Sequence, residues 1–286
     1  LDAKMKDYFK VNKFSASVAK KLAGGASPYA AFYQLRKEFK TTDAMKLGTI
    51  VHAIIEHGGE LPASVAVVSP YTAYTTGEAK AFKAWWDGDK DYILKMPKSA
   101  KPDDRANLNL KRMVFSDSRD SGAIMTDQAT IDKAHAMAKN LMAATDTVNG
   151  EHEKAIYTED SKCLMDFCTE DTVKDWKTTS ATTMKDVLRE CWKYGYDIQG
   201  AQYTKLSKRP NFELDFVCSS EPHEVFIVKC GDSFLETGRE KLDYAKELWD
   251  MYKDTPLEEI PSSEETTIED AFRELSEPVF TVEGEF

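Results

Sequence analysis

The stretch CLMDFCTEDTVKDWKTT, residues 163–179, decides how the chain is read. Two short runs rich in strand-forming residues, KCLMDFC and TVKDWKTT, flank Glu170 and Asp171, a pair suited to a two-residue hairpin loop. Residues whose numbers sum to 341 would then lie opposite each other, setting Asp166 across from Asp175 and Leu164 across from Lys177. Side chains alternate along a strand, so Asp175 and Lys177 share one face while Trp176 points to the other, where it can be core. Like charges directly opposite destabilise a sheet, so the facing acids need something to offset their repulsion. A hard divalent cation would do so: Mg²⁺ takes one or two carboxylates, keeps several waters and fills its remaining positions with phosphate oxygens. A lysine beside such an ion suits metal-assisted phosphodiester hydrolysis, where its ammonium orients water or neutralises charge developing on phosphorus. A surface hairpin with solvated charges accounts for the same acids, and residue types alone leave both readings open.

Outward from the hairpin, the pattern becomes a mixed α/β domain. Further strand-like runs, KAIYTED, FELDFVCSS and HEVFIVKC, surround it after Gly150. Residues 182–204 have helical spacing, and ETGREKLDYAKELWDMY predicts a last helix. The order βββαββα predicts a mixed central sheet flanked by helices, in the α/β or α+β class. Residues 1–150 read as mainly helical. Serines in FSASVAKKL suit helix starts, and AMKLGTIVHAIIEHGG stops at a glycine pair. GEAKAFKAWW is a further helix, and IDKAHAMAKNLMAA shows a buried stripe of Ile131, Ala134, Met137, Ala138 and Leu141. Residues 94–112 form a basic surface loop with prolines. The expected organisation is one domain over 1–253, its catalytic sheet in 151–253, followed by a flexible acidic appendage over 254–286.

Composition narrows the class. The 286 residues are 42% hydrophobic and 30% charged, a globular balance, with formal net charge −11. Residues 254–286 hold eleven acids and one base, a net of −10, which leaves −1 for residues 1–253. A polyanionic partner is therefore not excluded by charge. Five cysteines with no CxxC pair predict a reduced, cytoplasmic setting rather than a disulfide framework, and offer no iron–sulfur spacing. No apolar run approaches the roughly 20 residues of a membrane span.

An acid, a short gap, then D-x-K on adjacent strands, followed by a helix carrying Q-x-x-x-Y, resembles the PD-(D/E)xK nuclease superfamily. The branch most similar holds RecB-type nucleases and the RecE-type exonuclease VIII of phages and prophages. The matching residues are Asp166, Asp175, Lys177, Gln199 and Tyr203, within DWKTT and KYGYDIQGAQY; LGTIVHA and SASVAKKLAGGASPYAAF add to the likeness, which spans about 14–253. Met165 and Leu164 depart from the pattern, where relatives often carry proline and a basic residue.

The resemblance implies Asp166 and Asp175 as ligands of Mg²⁺, or Mn²⁺ in its place, and Lys177 as the water-orienting or charge-stabilising group. It implies His52 as a histidine near metal and scissile phosphate, and Gln199 and Tyr203, one helical turn apart, as lining a DNA groove. Glu153 is a further candidate metal-side acid. By its neighbours Val51, Ile54 and Ile55, His52 alone reads as an interior residue, and the stripe Trp192, Tyr196, Gln199, Tyr203 reads equally as core. The implied activity is a 5′-to-3′ exonuclease on double-stranded DNA ends that leaves 3′ tails. Its implied partners are a single-strand annealing protein and further copies of itself in a ring, in a bacterial cell. A RecB- or Cas4-like single-strand nuclease, an endonuclease and a nonenzymatic DNA-end-binding scaffold stand as alternatives.

Overall fold

The computed structural model describes residue 8 and residues 10–24, 27–37, 41–69, 77–86, 119–120 and 122–262. The basic segment 94–112 and the acidic stretch beyond 262 lie outside the described residues.

The central sheet has strands β3 (Glu151–Tyr157), β4 (Lys162–Cys168), β5 (Thr172–Thr179), β6 (Asn211–Cys218) and β7 (Val225–Cys230), side by side in that order. Strands β5 and β6 run parallel and all other neighbours antiparallel, so the sheet is mixed, as the sequence predicts. The parallel pair needs a crossover, supplied by helices α6 (Met184–Lys193) and α7 (Tyr196–Ser207). From Phe212 to Cys218 every residue of β6 is buried, because helices cover both faces of the sheet.

Two layers close those faces. Against one pack α3 (Asp43–Glu56) and α5 (Gln128–Ala144), whose Ile50, Ile54, Met137 and Leu141 meet Phe167, Trp176 and Val217. Ile131, Ala134, Met137, Ala138 and Leu141, the stripe read from the sequence, are all buried. Thr42 caps the start of α3 through Met45 N, and Gly58 and Gly59 end it with φ of 64° and 102°, a conformation glycine reaches without a Cβ clash. Against the other face pack α6, α7 and α8 (Asp232–Tyr252), over Val173, Phe212, Leu214 and Phe216. Beyond α7 and α8, helices α1 (Ala16–Leu22) and α2 (Pro28–Arg36) form an outer cluster around Trp249.

Helix α8 approaches α7 very closely: a Cβ on Gly238 would stand 2.1 Å from the carbonyl oxygen of Asp197. Almost one turn on in α7, a Cβ on Gly200 would meet Phe212 of β6 at 2.5 Å and Leu235 of α8 at 2.8 Å. Two glycines thus let α7 sit tightly between its neighbours, which fixes the height of its side chains over the sheet.

Three features differ from the sequence reading. Residues 182–204 are two helices, because Gly195 adopts φ 63° and turns the chain; Trp192 is thereby 38% exposed and leaves the stripe shared by Tyr196, Gln199 and Tyr203. A small parallel pair, β1 (Ala66–Val68) with β2 (Ile124–Thr126), packs beside α3 and α5, and α4 (Gly77–Trp86) lies between them in sequence. Packing also continues past Asp254: Ile260 is 4% exposed, Pro261 O accepts from Tyr29 N at 3.1 Å, and Thr255 O accepts from Arg36 at 2.6 Å. Residues 255–261 therefore pack against the domain, past the expected boundary of the appendage at 254. No described helix is long and apolar enough to cross a membrane.

Candidate active site

Thr169 N donates to Thr172 O at 2.9 Å, closing the loop on Glu170 and Asp171 as predicted. The ladder pairs Cys168 with Val173 and Phe167 with Lys174, which is the expected register. It stops there, one step before Asp166 and Asp175. The N–H of Trp176 donates to the Asp166 side chain at 2.8 Å, so a carboxylate oxygen takes the place of a main-chain acceptor. On its other edge β4 pairs with β3 through His152–Phe167 and Lys154–Met165 but not at Asp166, whose register neighbour Glu153 has φ 44°. Met165 and Phe167 pack into opposite core layers, so β4 turns over at Asp166 and simple alternation fails at this residue.

Around this break the structure gathers side chains from four elements. From α3, His52 Nδ1 lies 3.6 Å from Asp166 Oδ1, its ring edge-on to Trp176 at 5.9 Å. Asp175 is 2% exposed; its Oδ1 accepts from Gln199 Nε2 of α7 at 2.6 Å, and its Oδ2 is in close ionic contact with Lys177. From α1, Lys20 Nζ donates to Gln199 Oε1 at 2.6 Å. The ring of Tyr196 lies against both ammoniums, 4.5 Å from Lys20 and 5.2 Å from Lys177.

Burial and charge act against each other here. Burial raises the Asp175 carboxyl pKa, and the nearby Asp166 charge adds to this; Lys177 only partly opposes it. For Asp166 burial is outweighed by His52, Lys177 and the Trp176 N–H, so its pKa is lowered. Burial alone would depress His52, but Asp166 outweighs it and the imidazole is raised. Lys177 is also raised, the two aspartates overcoming its burial. Lys20 goes the other way, down to about 7, from burial and then repulsion by Lys177.

Of the predicted residues, His52, Asp166, Asp175, Lys177 and Gln199 come together. Glu153 stands at the register position beside Asp166, half-buried. The DNA-groove placement expected for Gln199 and Tyr203 is corrected, since both are buried at 6% and 8% exposure. Gln199 uses its amide on Asp175 and Lys20, while the Tyr203 ring packs edge-on against Phe212 at 6.1 Å as core. Lys20 was not anticipated. Its signal lay in spacing: it follows Ala16 by four and Ala19 by one, on the side of α1 that buries Ala16, Ala19 and Leu22.

Among the described residues no three His, Cys, Asp or Glu side chains stand in a metal-holding arrangement. The donor set nevertheless fits a hard cation. Asp175 Oδ2 is buried with Lys177 as its partner and no further hydrogen bond, and Asp166 presents a second carboxylate with an imidazole beside it. One or two carboxylates are the protein ligands a hard divalent ion commonly takes.

The chain is similar to solved structures, and the first of them shares its fold. A candidate exonuclease from Eubacterium rectale superposes with a TM-score of 0.50 at 15% identity, over 91% of this chain and 92% of that one. A phage-related exonuclease from Haemophilus somnus 129PT matches with a TM-score of 0.32 at 13% identity, over 75% of this chain and 95% of that one. No curated protein matches the sequence. The family model described as "PDDEXK-like domain of unknown function (DUF3799)" matches residues 15–262, a span that takes in the broken ladder, its two aspartates and the lysine, and the chain belongs to that family.

Proposed function

We propose that the chain is a Mg²⁺-dependent DNA exonuclease of the RecE type, degrading the 5′ strand of duplex ends to leave 3′ tails. The observation that carries the reading is the position of Lys177 Nζ against an otherwise unbonded oxygen of Asp175, with Asp166 at the same level of the neighbouring strand. When bound, the cation would supply Lewis acidity toward a phosphodiester. Asp166 and Asp175 would hold it, with Glu153 and His52 beside them. Gln199 keeps Asp175 oriented, and His52 does the same for Asp166. Lys177, drawn off Asp175, would orient water or balance the charge growing on the phosphate oxygens.

The reading extends to partners. The 3′ tails would pass to a single-strand annealing protein, and copies of the chain would form a ring around duplex DNA, in a phage or prophage setting. The test is digestion of end-labelled linear duplex, nicked circular duplex and single-stranded DNA with Mg²⁺, Mn²⁺ or EDTA. Release of 5′ label from linear duplex, abolished by EDTA, is the expected result. Binding of ends without digestion would make the chain a scaffold, and preference for single strands would move it to the RecB-like alternative.

A further inference from the structure

Helix α6 leaves one side to solvent, and that side carries two kinds of residue. Met184, Leu188 and Trp192 follow one another at helical spacing, 42%, 43% and 38% exposed, with Tyr194 just beyond at 46%. Lys185, Arg189 and Lys193 stand exposed between them. The two acids of the helix hold local partners: Asp186, itself half exposed, accepts from Thr183 at 2.6 Å and from Arg189 at 2.9 Å, and Glu190 accepts from Thr179 at 2.7 Å. With Arg189 taken by Asp186, Lys185 and Lys193 are the ridge's cations without an acid of the helix against them, on a chain of net charge −11.

Ammonium groups also lie against its rings. Lys193 Nζ is 5.1 Å from the centre of Tyr194, while Lys241 Nζ of α8, paired with Asp197 at 2.9 Å, is 5.3 Å from that of Trp192, whose ring also packs edge-on with Phe234 at 4.7 Å. The ridge leads to the acids. Tyr194 and Tyr196 are 6.1 Å apart, and the Tyr196 ring is the one beside Lys177.

We propose that this ridge is a platform for single-stranded DNA, with a base stacking on Tyr194 beside the edge of Trp192 and phosphates meeting Lys185 and Lys193. Alternating aromatic and cationic groups match the alternating base and phosphate of one strand, and ring faces stack only on bases freed from a duplex. The platform rests on the nuclease reading for its direction: it would guide a strand separated at a duplex end to or from the site at Lys177.

The test uses the full chain in EDTA, with anisotropy of a fluorescein-labelled oligo-dT of roughly 20 nucleotides. Tyr194→Ala should weaken binding about tenfold and Tyr194→Phe by less than about twofold, as loss or retention of one stacked base requires. Lys185→Gln with Lys193→Gln should reduce the slope of log affinity against log salt by about 1.4, two phosphate contacts on a single strand. Affinity within about twofold of wild type in both variants would overturn the platform. So would unchanged affinity together with loss of an oligomer in light scattering, which would assign the ridge to a second copy. Hydrolysis of bis(p-nitrophenyl) phosphate, too small to span the ridge, separates the two readings. Ridge-dependent DNA binding by a wild-type chain that never hydrolyses this ester with Mg²⁺ would refute the nuclease reading and leave the platform standing.

Discussion

Divalent cation should stabilise the folded chain, and Asp175 should be the reason. The carboxyl is 2% exposed with a raised pKa, so the metal-free protein holds an anion whose burial is only partly compensated. A ligand at about 100 times its Kd stabilises by about 2.7 kcal/mol. At roughly 2–4 °C per kcal/mol for a domain of this size, Mg²⁺ or Mn²⁺ should raise Tm by about 5–10 °C over EDTA. Asp175→Asn should abolish that gain. It should also lower the metal-free Tm modestly. A charge stranded in the interior costs about 3–5 kcal/mol, but Lys177 keeps Asp166 and the Tyr196 ring and is 22% exposed, so about 1–3 kcal/mol is expected. The assay is thermal unfolding followed by tryptophan fluorescence across a cation titration. An Asp175→Asn protein with the wild-type cation response would refute the assignment of the ion to this carboxylate.

Lys177→Ala should eliminate DNA cleavage while leaving binding to duplex ends nearly intact; wild-type turnover by the variant would remove the lysine from the chemistry. Because His52 is raised in the folded state, its contribution to stability is complete below the ordinary imidazole value of about 6.5 and lost as pH rises through the folded value. The Tm difference between wild type and His52→Gln should accordingly shrink from about pH 6 to about pH 9, and a widening gap would contradict the pairing with Asp166. Gly238→Ala drives a methyl into the Asp197 carbonyl and should cost about 1–3 kcal/mol or more, read as a lower urea midpoint. A chain ending at Asp254 should be less stable than one ending at Ser262 by about 1.5–3 kcal/mol, the burial of Ile260, and equal melting would show that its packing contributes nothing.

The hairpin was legible because a two-residue loop and period-two alternation leave few registers, and the five-residue stripe of α5 because a helix repeats its face. What escaped depends on contacts remote in sequence. Lys20 meets Gln199 across 179 positions, and nothing near a lysine in α1 names its partner. The turnover of β4 at Asp166 is invisible to an alternation rule, since it rests on a carboxylate displacing a ladder bond. Gly195 was in plain view, yet only its positive φ distinguishes a helix break from a tolerated glycine. Tyr203 and Gln199 share a face, but burial by Phe212 of β6 and capture by Asp175 of β5 could not be weighed before both strands were placed against them.

The bond from the Trp176 amide to Asp166 has an evolutionary corollary. A peptide N–H is supplied by every amino acid except proline, so this acid is held by something mutation can scarcely remove. A substitution at position 176 that keeps the core filled should thus leave this bond in place, whereas any substitution at Gln199 removes the side chain that does the holding. Asp166 keeps one anchor whatever residue other than proline stands at 176, alongside the imidazole of His52, whereas Asp175 is held by the side chains of Gln199 and Lys177.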